Sequence, residues 1–243
     1  MRVTYGGHAT VLVELDGVRL LTDPVLREYV LHLRRIAGAA RAPAGLDAIL
    51  VSHGHYDHFD LPTLRHFDRS TPVVVPRGLG GYLRRFERVL ELEAGDELSV
   101  GTIRLRATYA EHAGGRPPFT RRAKALGYAM LGSRRVFFAG DTDLFPEMDG
   151  LVPDLDLALL PIWGWGPSLG PGHLDPERAA EALTLLRPKV VIPIHWGTFA
   201  PLHKASSAGF LRAPVEQFLS AAAKRAPEVE IRVLEPGEAL ELP

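Results

Sequence analysis

Cysteine is absent from all 243 residues, which excludes a disulfide framework, a thiolate metal site and a thiol nucleophile. Charge of one sign is missing as well. Lys and Arg total 28 against 29 Asp and Glu, a formal net charge of -1, so the basic footprint of a nucleic-acid-binding protein is not there. No apolar run reads as a spanning helix, since the uncharged stretch from Leu157 to Leu174 carries seven Gly and Pro residues. The N-terminal MRVTYGGHATVLVEL has no apolar segment behind a basic one and reads as a strand. The cytoplasm is therefore the expected compartment. What the chain does have is core material: 46% of its residues are hydrophobic, and a chain of this mass buries roughly 70% of its unfolded surface.

Short β-rich runs occur at Val11–Leu15, Val18–Leu21, Ala48–Val51, Val73–Val75, Ile103–Ala107, Tyr128–Leu131, Val136–Ala139, Leu157–Leu160 and Val190–Ile194. Asp16-Gly17 between the first two is a hairpin signal. Several runs are apolar throughout rather than alternating, the pattern of strands covered on both faces. Helical patterns interleave with them. Pro176–Arg187 has Asp175 as N-cap, Pro176 at its first position and Pro188 as a stop, and a second pattern covers Val215–Lys224. With no internal period and no linker-like shift in composition, residues 1–243 read as one α/β domain with helices outside paired sheets.

Chemistry-bearing residues cluster just after the apolar runs. His53-Gly54-His55-Tyr56-Asp57-His58 places four ligand types in six residues. Asp141 follows Val136–Ala139, His195 follows Val190–Ile194, and His112 follows Ile103–Ala107. Strands of one layer deliver such residues to a common carboxyl edge. Five imidazoles and two carboxylates, without sulfur, suit Zn, Fe or Mn. Seven ligands exceed one tetrahedral ion and match two ions with open positions. His32 and His66 lack such company and read as ordinary surface or core histidines.

The run His53-Gly54-His55-Tyr56-Asp57-His58 resembles the HxHxDH signature of the metallo-β-lactamase superfamily. The resemblance implies an αββα sandwich of two mixed sheets flanked by helices. It implies further that His53, His55 and His112 hold a first metal ion, that Asp57, His58 and His195 hold a second, and that Asp141 bridges both. Gly-His-Ala-Thr-Val-Leu-Val-Glu near the start, Leu-Thr-Asp-Pro at 21–24 and His-Leu-Asp-Pro-Glu at 173–177 are similar to the N-acylphosphatidylethanolamine phospholipase D-like branch. The same segments resemble, more loosely, the L-ascorbate-6-phosphate lactonase-like branch. Glu111 and Ala113 stand where the former branch has glutamine and tryptophan, and the loop Ile162–Gly172 is rewritten.

The implied cofactors are two divalent metal ions, Zn first, with Mn or Fe as alternatives. Two such ions less two carboxylates leave a positive centre that attracts a small anionic substrate: a phosphate ester, a phospholipid or a lactone. Paired metals lower the pKa of a bridging water and supply the nucleophile. The leading reading is a binuclear phosphodiester hydrolase. A lactonase or other ester hydrolase is the alternative, and a catalytically silent metal-binding sensor is the alternative from another class. Asp57 and His173 are the candidates for direct participation in catalysis, His173 either as leaving-group acid or as phosphate contact. His8 either lines the cleft or serves a turn. Asp23 and Thr142 are candidates to orient ligands, although Asp23 reads equally as a strand-end turn. Tyr56 either orients a ligand or packs at a core edge. Trp163 and Trp165 form either an acyl-chain wall or a core cap. Arg116, Arg121, Arg122 and Lys124 are either a substrate-facing lid or a solvated face.

Overall fold

A computed structural model of the chain describes residues 1–38, 41–115, 123–164, 170–204 and 208–243. Its strands, in chain order, are β1 (Arg2–Gly7), β2 (Thr10–Leu15), β3 (Val18–Thr22), β4 (Tyr29–Val30), β5 (Leu33–Arg35), β6 (Ala48–Leu50), β7 (Val73–Pro76), β8 (Val89–Leu92) and β9 (Glu97–Val100). They continue with β10 (Ile103–Tyr109), β11 (Leu126–Leu131), β12 (Arg135–Phe138), β13 (Leu157–Pro161), β14 (Val190–Ile194), β15 (Phe199–Pro201), β16 (Glu230–Ile231) and β17 (Ala239–Glu241). The helices are α1 (Leu61–Leu64), α2 (Pro176–Leu186) and α3 (Ala208–Arg225).

Two mixed seven-stranded sheets form, in the orders β17-β1-β2-β3-β6-β7-β8 and β16-β14-β13-β12-β11-β10-β9. They pack face to face, and the period of two explains why whole strands are apolar. Leu157 and Leu159 of β13, with Val190, Ile192 and Ile194 of β14, point into the core between the sheets. Ala158, Leu160 and Val191 point the other way, under Leu183 of α2 and Phe218 of α3. The outer face of the first sheet is covered differently. Leu21, Ile49 and Val73 meet Phe59, Leu64, Phe67 and Leu83 from the four-residue α1 and surrounding turns. The result is the αββα sandwich with one thin outer layer.

All nine expected strands are present, several longer by one or two residues, Ala48–Val51 shorter by one and Val136–Ala139 shifted back by one. Helix α2 carries its expected cap: the Asp175 side chain accepts from the Arg178 backbone N–H, and Arg187 closes the helix in a left-handed conformation. Helix α3 starts earlier than the sequence pattern implies, at Ala208, and runs through Pro214. A three-stranded sheet, β15-β5-β4, is a further element that short, mixed-polarity runs did not reveal. No helix among the described residues is long and apolar enough to cross a membrane.

Phe138 is fully buried between the sheets. Truncation in Phe138→Ala is expected to cost about 3–5 kcal/mol through lost burial and the cavity left behind, read as a lower midpoint in urea unfolding.

Candidate metal centre

Seven of the strands that end on one edge of the sandwich deliver residues to the cluster. β1, β3 and β6 share a direction in the first sheet, as do β10, β12, β13 and β14 in the second. The residues that follow their carboxyl ends meet there. His53, His58, His195 and Asp141 are buried, whereas His55, Asp57 and His112 are half-buried at the rim. All seven sequence candidates for ligation are brought together, and His32 and His66 lie exposed elsewhere.

Hydrogen bonds on the far side of each ring decide which nitrogen faces inward. His58 Nδ1 lies 2.7 Å from Asp23 Oδ2, so Nδ1 carries the proton and Nε2 presents a lone pair. The Ser52 hydroxyl donates to Asp23 Oδ2 at 2.5 Å and therefore accepts from His53 Nδ1 at 2.9 Å. His53 Nε2 is left buried with no hydrogen-bond partner. His112 Nδ1 donates to the Gly172 carbonyl at 2.6 Å, and His195 Nδ1 donates to the Trp163 carbonyl. The inward nitrogens then crowd one another: His58 Nε2 is 3.1 Å from His195 Nε2, and His112 Nε2 is 3.2 Å from His55 Nδ1. Lone pairs at that distance require a proton or a cation between them, and buried Nε2 of His53 requires a partner of the same kind. The donor set, imidazole nitrogen and carboxylate oxygen, fits divalent metal ions on this ground.

Two ligand groups emerge. His53, His55 and His112 offer ligand atoms within 4.8 Å of one another, and so do His8, Asp57, His58 and His195. Asp141 lies against both. Its Oδ2 is 4.0 Å from His53 Nε2 and 3.3 Å from His58 Nε2, its Oδ1 is 3.3 Å from His195 Nε2, and it also groups with His112 and His173.

The backbone is strained where it enters the cleft. His8, Asp23 and His195 adopt φ of 57°, 31° and 64°, a left-handed region that few non-glycine residues enter. Gly140, just before Asp141, has φ 61°, and a Cβ there would lie 2.6 Å from the Ser52 Cβ. His8 is fixed from two sides, because its N–H donates to Thr198 Oγ1 at 2.7 Å and its carbonyl accepts from His195 N–H at 2.9 Å. Its Nε2 reaches Asp57 Oδ2 at 3.1 Å. Of the two sequence readings, His8 thus lines the cleft while occupying the β1–β2 turn.

The remaining candidates separate. Asp23 bonds Ser52 and His58 directly. Thr142 touches no ring: its hydroxyl accepts from Glu111 N–H at 2.9 Å and donates to the Asp143 carbonyl at 2.8 Å. Trp163 is buried in the core beneath the second sheet, and its backbone carbonyl is the part that meets His195. His173 is half-buried, 4.7 Å from His112 between ring centroids, with Nδ1 buried and unpartnered. Tyr56 packs against Val25, Val30, Leu33 and Phe199. Lys124 is exposed, while Arg116, Arg121, Arg122 and Trp165 lie outside the described residues. Gly172 and Asp143, which sequence reasoning did not name, hold the outer edge of His112; their link is made over long sequence separations and has no local motif.

Burial dominates the electrostatics and is answered by charge only in the middle of the cluster. It lowers His8 to about 3, helped by His195, and His55 to about 4, helped by His112. It also pushes His53 and His112 down. Burial acts on His58 in the same sense, but Asp141 and Asp57 outweigh it and hold that imidazole well above its usual value. Asp57 and Asp141 are raised by burial and more than compensated, Asp57 first by His58 and Asp141 first by His195, so both stay well below the usual carboxylate range. Asp23 is pushed up by burial, against the pull of His58 and Ser52. Among these rings His58, between the two carboxylates, is the one whose charged form is favoured.

A family model described as a beta-lactamase superfamily domain matches residues 18–196. A metal-dependent hydrolase of Methanopyrus kandleri is 32% identical over 99% of this chain and 100% of its own length. An N-acyl-phosphatidylethanolamine-hydrolyzing phospholipase D of Caenorhabditis elegans is 31% identical over 81% of this chain and 64% of its own. Among solved structures, a metallo hydrolase from the archaeon Ignicoccus hospitalis aligns with a TM-score of 0.74 at 25% identity, covering 100% of this chain and 99% of that one.

A histidine whose pKa falls on folding leaves the unfolded chain to take up the proton first, so acid favours unfolding. His8 and His55 act in that sense from 6.5 down to about 3 and about 4, with His53 and His112 in the same direction. His58 opposes them, its stabilisation being present at low pH and lost as pH rises. Asp23, also raised on folding, opposes them too, but His58 changes little below its unfolded value and Asp23 acts mainly toward the acid end, so the four lowered histidines set the trend across this interval. The Tm of chelator-treated protein is expected to fall between pH 7 and pH 5 in thermal melts, and a Tm that rises over that interval would contradict these environments.

Proposed function

The chain belongs to the beta-lactamase superfamily, and from that membership we propose that it is a one-domain, metal-dependent hydrolase with a pair of divalent ions at the strand-end cluster. The observation that carries the reading is the set of inward lone pairs, above all the buried, unpartnered Nε2 of His53. In this proposal His53, His55 and His112 hold the first ion, Asp57, His58 and His195 the second, and Asp141 reaches both. Zn is the first choice, with Mn or Fe as alternatives, because the donors are nitrogen and oxygen without sulfur. Bound ions of this kind supply a nucleophilic water at neutral pH and neutralise charge that builds on the attacked centre.

The chain's own residues do the rest. Asp23 keeps His53 and His58 in the tautomers that offer Nε2 inward. His8 hydrogen-bonds Asp57 Oδ2 and so orients the carboxylate from the side away from the rim. His173 stands beside His112 at the rim with a nitrogen unengaged, a position from which it contacts a substrate anion or protonates a leaving oxygen. A small anionic phosphodiester, of phospholipid type, is the substrate class we favour. The relative from Caenorhabditis elegans, named for hydrolysis of an N-acyl phospholipid, supports that choice.

The test compares metal-reconstituted protein on bis(p-nitrophenyl) phosphate and on a simple lactone, with Zn and Mn supplied separately. Turnover of the diester alone is expected; turnover of the lactone alone would overturn the phosphodiester assignment, and silence on both would favour a metal-binding sensor. In a second test, His173→Ala is expected to keep both metals and to slow diesters with poor leaving groups by about 10²–10⁴-fold, the range for general acid catalysis, and those with good leaving groups much less. An equal loss on both series in steady-state kinetics would remove the acid role and leave substrate binding.

A further inference from the structure

His112 is aimed from outside the cluster by a chain of contacts that reaches helix α2. Its Nδ1 donates to the Gly172 carbonyl at 2.6 Å. The Gly172 N–H donates to Asp143 Oδ2 at 3.2 Å. Asp143 Oδ1 accepts from Arg178 Nε at 2.7 Å, from Arg178 Nη2, and from the Leu144 N–H at 2.8 Å. The Asp143 N–H in turn donates to the Glu111 carbonyl at 3.0 Å, one residue before His112. Asp143 therefore ties together four segments: its backbone N–H holds the one after β10, and its carboxylate holds the one after β12, the Gly172 turn and the first turn of α2.

Two features distinguish this arrangement from an ordinary surface ion pair. Arg178 lies in the first turn of α2, where the helix dipole disfavours a cation, and it is nonetheless held by two nitrogens on Asp143, whose side chain is only 15% exposed. Gly172 adopts φ 87°, and a Cβ on it would come to 3.4 Å from His112 Nδ1, so the turn closes directly onto the ring. The next residue in the chain is His173, whose ring meets His112 edge-on.

We infer that Asp143 and Arg178 form a positioning clamp which, through Gly172, holds His112 in the tautomer that offers Nε2 inward and keeps His173 in register beside it. The inference rests on the proposed metal site for its functional meaning, but its geometry is independent of the substrate. Neither residue touches the reacting atoms. Their effect passes through the Gly172 carbonyl on one side and the start of the His173 turn on the other.

The experiment uses Asp143→Ala, Arg178→Ala and Arg178→Lys, each first shown to be folded by circular dichroism and thermal melting. Stepwise Co(II) titration, followed by absorption, is expected to show a loss of about 10–100-fold in affinity at the first centre for Asp143→Ala, the range for removing an outer hydrogen-bond partner of a ligand. Affinity at the second centre is expected to stay within the wild-type error. Arg178→Ala is expected to give a smaller loss of the same kind and Arg178→Lys to restore most of it. In the metal-free protein, the low-field proton resonance of His112 Nδ1–H is expected to broaden or vanish in Asp143→Ala. A folded Asp143→Ala variant with that resonance intact and both affinities unchanged would overturn the clamp, and so would equal losses at both centres. Should Asp143→Ala not fold, Arg178→Ala decides by the same two readouts. Should the wild-type protein bind no Co(II), the metal reading fails and the His112 resonance alone decides the clamp.

Discussion

Nitrogen lone pairs that face each other at hydrogen-bond distance inside a protein repel unless something positive lies between them. His58 Nε2 and His195 Nε2 are held in that relation at 3.1 Å, and His112 Nε2 meets His55 Nδ1 at 3.2 Å, where a proton on His55 closes a hydrogen bond. Free imidazoles would relieve it by turning over or moving apart. Here the outer nitrogens of His58, His53, His112 and His195 are each committed to Asp23, Ser52 or a backbone carbonyl. These four rings cannot turn over without breaking hydrogen bonds that are buried or, for His112, partly buried, which costs more than such bonds contribute when made. These inward nitrogens are what suit the cluster to a cation, and Asp141 and Asp57 favour the charged form of His58 among them.

Holding such an arrangement demands a stiff frame, and the sandwich provides one at its most constrained edge. His8, Asp23 and His195 all sit in the left-handed region, and each is pinned by neighbours from a different strand. Asp23 N–H bonds the Leu50 carbonyl, while the Asp23 carbonyl accepts from Thr10 Oγ1. His195 N–H bonds the carbonyl of His8, which joins the ends of the two sheets across the cleft. The apolar core behind them, with Ile194, Phe138 and Leu50 buried between the sheets, resists the relaxation that would let these backbones return to ordinary conformations. Packing and site geometry are thus coupled through the strand ends rather than through the loops.

Much of this was legible in the sequence because it is written in local patterns. Strands buried on both faces announce themselves as unbroken apolar runs, and the His53–His58 segment concentrates ligand types too densely for chance. Helix α2 was readable from Asp175, Pro176 and Pro188. Edge strands β8 and β9 were not, since their partly exposed residues mix polar and apolar side chains. The three-residue β5 and β15 exist through each other, with Phe199 opposite Arg35. Helix α3 was read only over Val215–Lys224, whereas in the fold it begins at Ala208, runs through Pro214, and packs Val215 and Phe218 below the second sheet. Single residues with two local readings, such as Asp23 and His8, were decided only by partners dozens of positions away. The Asp143–Arg178 pair had no local signature at all, because its meaning lies in a carbonyl 29 residues further on.

The two halves of the cluster are not equivalent, and the difference sets the direction of approach. His53, His58 and His195 are buried, and the acceptors that orient the last two, Asp23 and the Trp163 carbonyl, belong to residues buried in the framework. His55, Asp57, His112 and His173 are half-buried at the rim, where their surroundings admit solvent. A ligand therefore meets His55, Asp57, His112 and His173 before it meets Asp141, His53 and His58. The rim is also the part oriented by a half-exposed ion pair, Asp143 with Arg178, rather than by a carboxylate in the core. Burial is greatest at His53, His58 and His195 and least at His55, Asp57 and His112, so each ligand group has one part under the sheets and another at their edge.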